Sequence, residues 1–143
     1  FGLQSMGDLR RALPALSEAV RMAPDNPIIL HGLANAKQSA GHKTDALALY
    51  EAAVQLDPEY ASAHNNIASC HVSAHRVNDA KRAFLKALRF DPTLPEAHFG
   101  LAVILEKNPA TEREAADHYR RAMRFRPEYA KAYHALGNMI SSK

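Results

Sequence analysis

The apolar residues of the chain recur at the spacing of amphipathic α-helices. Leu30, Leu33 and Ala34 fall at i, i+3 and i+4 in one block, and Ala46 and Tyr50 fall four residues apart in the next. This spacing places apolar side chains on one face of a helix and leaves the opposite face polar. No stretch has the period of two that a half-buried β-strand would show. The pattern therefore predicts an all-α fold.

Prolines divide these blocks at a regular interval. Pro24, Pro58, Pro92 and Pro127 follow one another after 34, 34 and 35 residues. Proline fixes its own φ angle and disfavours a helical conformation in the residue before it, so each of these positions separates two helices. The chain is therefore predicted to be a tandem array with a period of 34 residues.

Side chains at fixed distances before each proline follow the same period. A large residue lies eight positions before the proline, and alanines lie twelve and five positions before it. The small residues allow close approach of a neighbouring helix, and the large one fills the space between them. The large residues are Leu16, Tyr50, Phe84 and Tyr119, and the alanines are Ala12, Ala46, Ala80, Ala115, Ala19, Ala53, Ala87 and Ala122.

Short breaks within each period predict hairpins of two helices. The breaks lie at residues 40–42, 74–76 and 108–110, and the last contains the extra residue of the 35-residue interval. Thr111 and Glu114, which follow it, have the spacing of a capping box. The predicted helices are a partial one that ends near Met6, then residues 8–22, 27–39, 44–56, 61–73, 78–90, 95–107, 112–125 and 128–142.

These features together resemble the tetratricopeptide repeat (TPR) family across essentially the whole chain. The closing prolines and the alanine and aromatic stripe match the family, as do Gly7 and Gly41 in the turns within hairpins. The first helices carry the family's Leu-Gly/Ala pair, although histidine stands at two of the positions where the family favours a large aromatic residue. The pairs are Leu33-Ala34, Ile67-Ala68, Leu101-Ala102 and Leu136-Gly137, and the departures are Leu30, His64, His98 and Tyr133.

The resemblance implies a right-handed superhelical solenoid of antiparallel helix hairpins, in which neighbouring repeats cover each other's apolar faces. A single domain of residues 1–143 would contain three complete repeats and a partial repeat at each end. The chain opens inside a repeat, and we therefore expect it to be a segment of a longer protein. The repeats are residues 27–60, 61–94 and 95–129, preceded by a partial repeat at 1–26 and followed by an unpaired first helix at 130–143.

The resemblance also implies that the first helices line a concave groove that binds peptides. The expected groove is rich in amides, which offer both a donor and an acceptor to an extended peptide backbone. We therefore expect a scaffold or adaptor that binds a peptide segment of a partner protein. The expected groove residues are His31, Asn35, Gln38, Asn65, Asn66, Ser69, Phe99, Lys131, His134 and Asn138.

Two recognition modes of the family fit this groove less well. The carboxylate clamp for acidic chaperone tails requires cations where this chain has Glu96 and Gly100, and Glu96 would repel a carboxylate. The asparagine ladder of O-linked N-acetylglucosamine transferases keeps one rung here, Asn66. Because residues 63–68 resemble that family locally, the targeting arm of a larger glycosyltransferase is the alternative function.

The residues that could bind a metal ion or catalyse a reaction change this interpretation little. His71 and His75 have an i, i+4 spacing that could hold a metal ion, but no cysteine or carboxylate lies at ligand spacing. His64 and His98 are expected to pack between helices in place of aromatic residues. The chain has one cysteine, and it contains no phosphate-binding glycine loop, nucleophile elbow or converging carboxylates. We therefore expect no enzyme activity in this segment, no cofactor and no metal.

The net charge of +3 arises mostly from second helices. That basic face is interpreted as solvated, with an acidic protein partner as the alternative, and it lacks the interleaved aromatic residues expected for nucleic-acid binding. No apolar run is long enough to span a membrane, and a cytoplasmic location is expected. Self-association through the exposed apolar face of the last helix is a further expectation. The basic residues are Arg82, Lys86, Arg89, Arg120, Arg121, Arg124 and Arg126.

Overall fold

A computed structural model of the chain describes the backbone of residues 3–141 and the side chains of residues 10–141. Every regular element in the described part is helical, which confirms the predicted all-α class. No helix between residues 3 and 141 has both the length and the apolarity needed to span a bilayer. The elements are α1 (Leu3–Met22), α2 (Pro27–Ser39), α3 (Lys43–Leu56), α4 (Ala61–Ser73), α5 (Val77–Phe90), α6 (Pro95–Glu106), a short 3-10 turn (Pro109–Thr111), α7 (Glu112–Phe125) and α8 (Ala130–Ser141).

The helices form two compact units, residues 1–63 and residues 64–143. In the first unit, α2 packs against both α1 and α3. In the second unit, α6 packs against α5 and α7, and α7 also packs against α8. In each of these pairs, two helices that follow one another in the chain pack together, as predicted for a repeat of helix hairpins.

The predicted alanine and aromatic stripe forms the centre of each unit. Tyr50 and Tyr119 are fully buried and Phe84 is 2% exposed, and the alanines on either side of each have no exposed surface. A buried ring between two alanines lets the neighbouring helix approach closely while leaving little empty space. These flanking alanines are Ala46, Ala53, Ala80, Ala87, Ala115 and Ala122.

Helix boundaries follow the local signals of the sequence. Asn26 caps α2, because its side-chain oxygen accepts hydrogen bonds from the backbone nitrogens of Ile28 at 3.0 Å and Ile29 at 3.4 Å. Pro27 occupies the first helical position, where a missing N–H leaves no bond unmade. Most boundaries fall within one residue of those predicted, and α8 starts two residues later than predicted. Ser142, the predicted end of that helix, lies outside the described residues.

The prediction of a turn at Gly7 was wrong. Helix α1 runs without a break from Leu3 to Met22 and includes both Gly7 and Pro14. Continuing the helix through a glycine costs only about 1 kcal/mol relative to alanine.

The predicted capping box at Thr111 was also wrong. Thr111 makes no side-chain bond to the backbone N–H groups of α7. Its hydroxyl instead donates to the carbonyl oxygen of Leu105 at 2.7 Å, and Asn108 accepts a bond from the backbone nitrogen of Ala110 at 3.0 Å. The inserted residue creates a 3-10 turn, and Thr111 satisfies a carbonyl at the end of α6 rather than the start of α7.

Two turns within hairpins use a left-handed residue at the same position of the repeat. Gly41 has φ 87° and His75 has φ 61°, and each is followed by a backbone bond that spans five residues, from His42 to Lys37 and from Arg76 to His71. Glycine adopts this conformation without steric cost, whereas a side chain is strained there.

We therefore expect His75→Gly to raise the free energy of unfolding by about 1 kcal/mol. The measurement is urea denaturation followed by circular dichroism. Gly41→Ala is the matched control, and it should lower stability by a similar amount because it introduces the same strain. A His75→Gly variant that is less stable than the native chain would contradict this account.

Candidate functional site

The predicted groove residues of the first unit form a hydrogen-bonded cluster around Tyr50. The Tyr50 hydroxyl lies 2.5 Å from Oδ1 of Asn35 and 2.9 Å from Oε1 of Gln38, and its single proton serves one of them at a time. Nδ2 of Asn35 is also 3.4 Å from Nδ1 of His31. Asn35 and Gln38 therefore lie beside each other, and both contact the hydroxyl of the buried Tyr50 in the same hairpin.

The His31 ring completes this cluster. It packs against the rings of Tyr60 and Tyr50, with centroid separations of 4.8 and 5.6 Å. Burial lowers the pKa of His31 below its ordinary value. A neutral imidazole between two aromatic rings fills the space between helices, so His31 contributes to packing in this unit.

A groove of about 560 Å³ lies in the second unit, where α4, α6 and the start of α8 meet. Predicted residues from three first helices line this groove. Its remaining wall is largely apolar and includes parts of α5 and the loop before α8. The predicted residues are Asn65, Asn66, Ser69, Phe99 and Lys131, and the apolar ones include Val72, Val77, Phe84, Val103, Ile104 and Tyr129.

Asn65 is the most distinctive residue of this groove. It lies 34 residues after His31 and 34 before Phe99, both of which are rings packed between aromatic neighbours. Phe99 contacts Tyr119 and Tyr129 at centroid distances of 5.7 and 5.4 Å. The repeat thus has an amide at a position that elsewhere in the described chain holds a ring.

The hydrogen bonding of Asn65 is incomplete. The residue is 8% exposed, and its Nδ2 donates to Oδ1 of Asn66 at 3.4 Å. Its own Oδ1 is buried without a hydrogen-bond partner. An unsatisfied buried acceptor costs about 1 to 3 kcal/mol, so a native structure rarely keeps one without a use for it.

Positive charge is left over in the same groove. Glu96 is neutralised by Arg126, whose Nη2 lies 2.5 Å from its carboxylate oxygen. Lys107 and Lys131 also line the groove, and neither forms an ion pair with another side chain of the described chain. The two lysines therefore give the groove a positive charge, which its amide side chains do not supply. A carboxylate on a ligand would be attracted to it.

His134 and Asn138 do not reach this groove. Both are exposed on α8 and line a shallow surface with Tyr133 and Gly137. Lys131, one turn earlier on the same helix, contributes to both surfaces. The structure therefore separates the predicted residues of α8 into one at the groove and two outside it.

The predicted packing of His64 and His98 between helices is confirmed. His64 stacks on Phe90 with a centroid distance of 5.7 Å, and His98 stacks on Phe125 at 5.8 Å. Both imidazoles are less than 9% exposed. In the side chains of residues 10–141, no three His, Cys, Asp or Glu residues gather as metal ligands.

A second histidine joins His98, and the repeat pattern gave no sign of it. Nε2 of His98 is 2.7 Å from the carbonyl oxygen of Pro92, and Nδ1 is 3.0 Å from Nδ1 of His118. Because the Nε2–H donates to the carbonyl, Nδ1 of His98 must accept the proton of His118. This arrangement requires the His98 ring to be neutral.

The helix hairpins recur about every 34 residues, and polar and apolar side chains of the first helices surround a groove. These features define the class of helical-repeat proteins. A sequence model of the tetratricopeptide repeat matches residues 3–36, 31–95 and 71–130. Because these matches cover most of the chain, the protein belongs to the tetratricopeptide repeat family.

Solved structures agree with this assignment. A crystal structure of MamA has a TM-score of 0.78 at 20% identity, and the match covers 97% of this chain and 81% of the MamA chain. YrrB, described as a TPR protein with an unusual peptide-binding site, has a TM-score of 0.78 at 24% identity. The match covers 90% of this chain and 66% of the YrrB chain. These two likenesses establish the fold alone. No curated protein sequence matches the chain.

A third structure has higher sequence identity. The Thermobaculum terrenum O-GlcNAc transferase, in a mutant form, has a TM-score of 0.73 at 30% identity. The match covers 85% of this chain but 24% of the transferase. The chain therefore corresponds in length to about a quarter of that enzyme.

Proposed function

We propose that the chain binds an extended peptide segment of a partner protein in the groove of the second unit. The observation that carries this proposal is Asn65, a buried amide with an unpaired acceptor on the wall of a groove. Membership of the tetratricopeptide repeat family supports it, as does the peptide-binding site described for YrrB.

The groove offers each type of contact that an extended peptide requires. Once its amide turns towards the groove, Oδ1 of Asn65 can accept a backbone N–H of the peptide. Asn66, the next residue, and Ser69, one helical turn later, supply further polar contacts. The apolar wall around Phe99 can cover one or two apolar side chains of the peptide. Lys131 lies where a carboxylate at one end of the segment would be stabilised.

Replacing Asn65 with leucine separates binding from folding. Leucine has a similar size and removes the unpaired acceptor, so we expect the free energy of unfolding to stay the same or to rise by up to about 1 kcal/mol. We also expect peptide affinity to fall by about 10-fold or more, because the peptide N–H then faces an apolar side chain. Peptides of about 12 residues, selected from a random library against the native chain, provide the probe for fluorescence anisotropy.

Asn78→Leu is the matched control, because Asn78 is an exposed amide on α5 that does not line the groove. This control should leave peptide affinity unchanged, and Lys131→Ala should weaken only those peptides that carry a carboxylate. The proposal is wrong if no peptides are enriched, or if the selected peptides bind Asn65→Leu as tightly as the native chain.

The remaining predicted residues have a smaller role in the proposed binding. In the first unit, His31, Asn35 and Gln38 already contact Tyr50 or one another, so we assign them a smaller share of the affinity. His134 and Asn138, which are exposed on α8, would contact a ligand only where it extends past the groove. On this proposal the segment acts as a scaffold or adaptor, and the repeats perform no chemistry.

The second candidate function is the substrate-targeting arm of a larger enzyme such as an O-linked glycosyltransferase. The observation that favours it is the 30% identity to the O-GlcNAc transferase across 85% of this chain. The sequence of the full-length protein tests it directly, since this candidate requires a glycosyltransferase domain in the same polypeptide. Peptide binding in the groove is compatible with both functions.

A further inference from the structure

The arginines of α5 and α7 fall into two groups. Arg82 pairs with Asp79 and Arg120 pairs with Asp117, in each case with an acidic residue three positions earlier on the same helix. The second group forms no ion pair among the described side chains. It consists of Arg89, Arg121 and Arg124. Arg113, near the start of α7, also forms no such ion pair but is not counted with them, because it does not line the cavity that they share.

The unpaired group lines one cavity. This cavity, referred to as the arginine cavity, has a volume of about 480 Å³ and lies between α5 and α7. None of its lining residues is acidic. Asp91 and Asp117 lie near two histidines of the lining, but the three guanidinium groups form no ion pair among the described side chains. They give the cavity a local positive potential that an anionic ligand would neutralise.

The arginine cavity also has an apolar wall. Leu85 is 47% exposed and Phe125 is 39% exposed, and Leu88 also lines the cavity. The guanidinium carbon of Arg124 is 6.0 Å from the centre of the Phe125 ring. The cavity therefore combines cations, one of them held over an aromatic face, with apolar surface still open to solvent.

We propose that the arginine cavity binds an acidic segment of a partner protein, in which carboxylates flank a leucine- or phenylalanine-type side chain. Guanidinium groups bind carboxylates through paired N–H donors, and the apolar side chain would cover Leu85 and Phe125. This surface is separate from the peptide groove, whose lining it does not share.

Nucleic acid fits the arginine cavity less well. A nucleic-acid strand presents a phosphate every few ångströms, and a protein that binds it has an extended track of cations along the strand. Here the neighbouring arginines Arg82 and Arg120 are neutralised by acids, and the chain has a net charge of only +3. The apolar wall would also remain uncovered by a phosphate backbone.

An array of peptides of about 12 residues tests the proposal. The peptides vary independently in the number of Asp and Glu residues and in the number of Leu and Phe residues, and a single-stranded oligonucleotide is included. We expect the native chain to favour peptides that contain both kinds of residue. The double variant Arg121→Gln/Arg124→Gln should lose at least about 10-fold in affinity for them, and raising the salt concentration should weaken native binding.

The double variant Arg82→Gln/Arg120→Gln is the matched control. It removes the same two charges from the same two helices, but at the ion-paired positions, and it should change affinity by less than about 2-fold. Asn65→Leu should leave binding of these acidic peptides unchanged, which distinguishes this surface from the groove. Equal losses in the two arginine variants, tighter binding of the oligonucleotide, or no enrichment of acidic peptides would each overturn the proposal.

Discussion

Replacing Gly100 with alanine should destabilise the second unit by about 1 to 3 kcal/mol, the usual range for overpacking a core. A Cβ atom at Gly100 would lie 2.5 Å from Cε1 and 2.9 Å from Cε2 of Phe84, with Cζ closer still. Phe84 is 2% exposed, and Ala80 and Ala87 on the same helix have no exposed surface, so moving its ring away from the new Cβ would disturb buried packing. Chemical denaturation of the variant measures the loss.

Two other glycines provide controls for this substitution. Gly137→Ala should raise stability by about 0.5 to 1 kcal/mol, because Gly137 lies inside α8 with nothing within 4 Å of an added Cβ. Gly32 occupies the same repeat position as Gly100, but its Cβ would meet Leu16 at an ordinary 3.6 Å. Alanine should therefore be tolerated at Gly32.

The double variant Gly100→Ala/Phe84→Leu tests the mechanism. Leucine is shorter than phenylalanine and withdraws the ring atoms that meet the new Cβ. The second change should therefore cost less in the alanine background than in the native chain, a non-additivity of at least about 0.5 kcal/mol. Additive losses would show that Gly100→Ala acts through something other than contact with Phe84.

The fold could be predicted because its signals are local and recur with the chain's period. A proline disfavours a helical conformation in the residue before it, so the positions of Pro58 and Pro92 were enough to place several helix ends. The alanine stripe similarly marks the face of its own helix that packs against a neighbour. The failures at Gly7 and Thr111 arose where one local signal was interpreted alone. Each of those residues had a competing use, helix continuation for Gly7 and a carbonyl of α6 for Thr111.

The site could be predicted less completely, because it depends on contacts between helices. Asn65 was expected in the groove from its repeat position, but its unpaired oxygen is visible only when the surrounding side chains are in place. Tyr50 reaches back 15 residues to Asn35, and His118 reaches back 20 residues to His98. The period of a single helix carries no information on such pairs.

One feature of the sequence does reflect contacts between helices. It is the size of the first-helix residue that faces the large side chain of the preceding second helix. Phe84 meets Gly100, whereas the shorter Leu16 meets Gly32 at a greater distance. A glycine in the first helix can therefore be interpreted as space for a ring on the preceding second helix. Gly137 shows the limit of this rule, because no side chain lies within 4 Å of the space it leaves.

The pair of His98 and His118 should make the second unit less stable in acid. Burial, the neighbouring His98 and Arg121 lower the pKa of His118 from its ordinary value of 6.5 to about 4, while Asp117 opposes the shift. Burial also lowers the pKa of His98, with a smaller opposing effect of the Pro92 carbonyl. Protonating His98 on Nδ1 would direct two N–H groups at each other across the 3.0 Å contact between the Nδ1 atoms, and protonating His118 would place a positive charge in a half-buried site beside Arg121.

The sign of the effect follows from proton binding. Below about pH 6.5 the unfolded histidines take up protons that the folded pair does not, so the unfolded state gains stability as the pH falls. The contribution of the pair is complete above the unfolded pKa and is lost as the pH falls towards the folded value near 4. We expect the midpoint of thermal unfolding to fall by about 5 °C between pH 7.5 and pH 5.

Substitution of both rings identifies their share of this loss. His98→Phe/His118→Leu keeps an aromatic ring against Phe125 and removes both titrating groups, so the pH dependence should become shallower even if the variant is less stable at neutral pH. The control His42→Gln/His134→Gln removes two exposed histidines and should keep the native slope. A native-like slope in the first variant would show that groups other than this pair cause the acid sensitivity. A shallower slope with intact groove binding would show that the pair stabilises the fold without taking part in recognition.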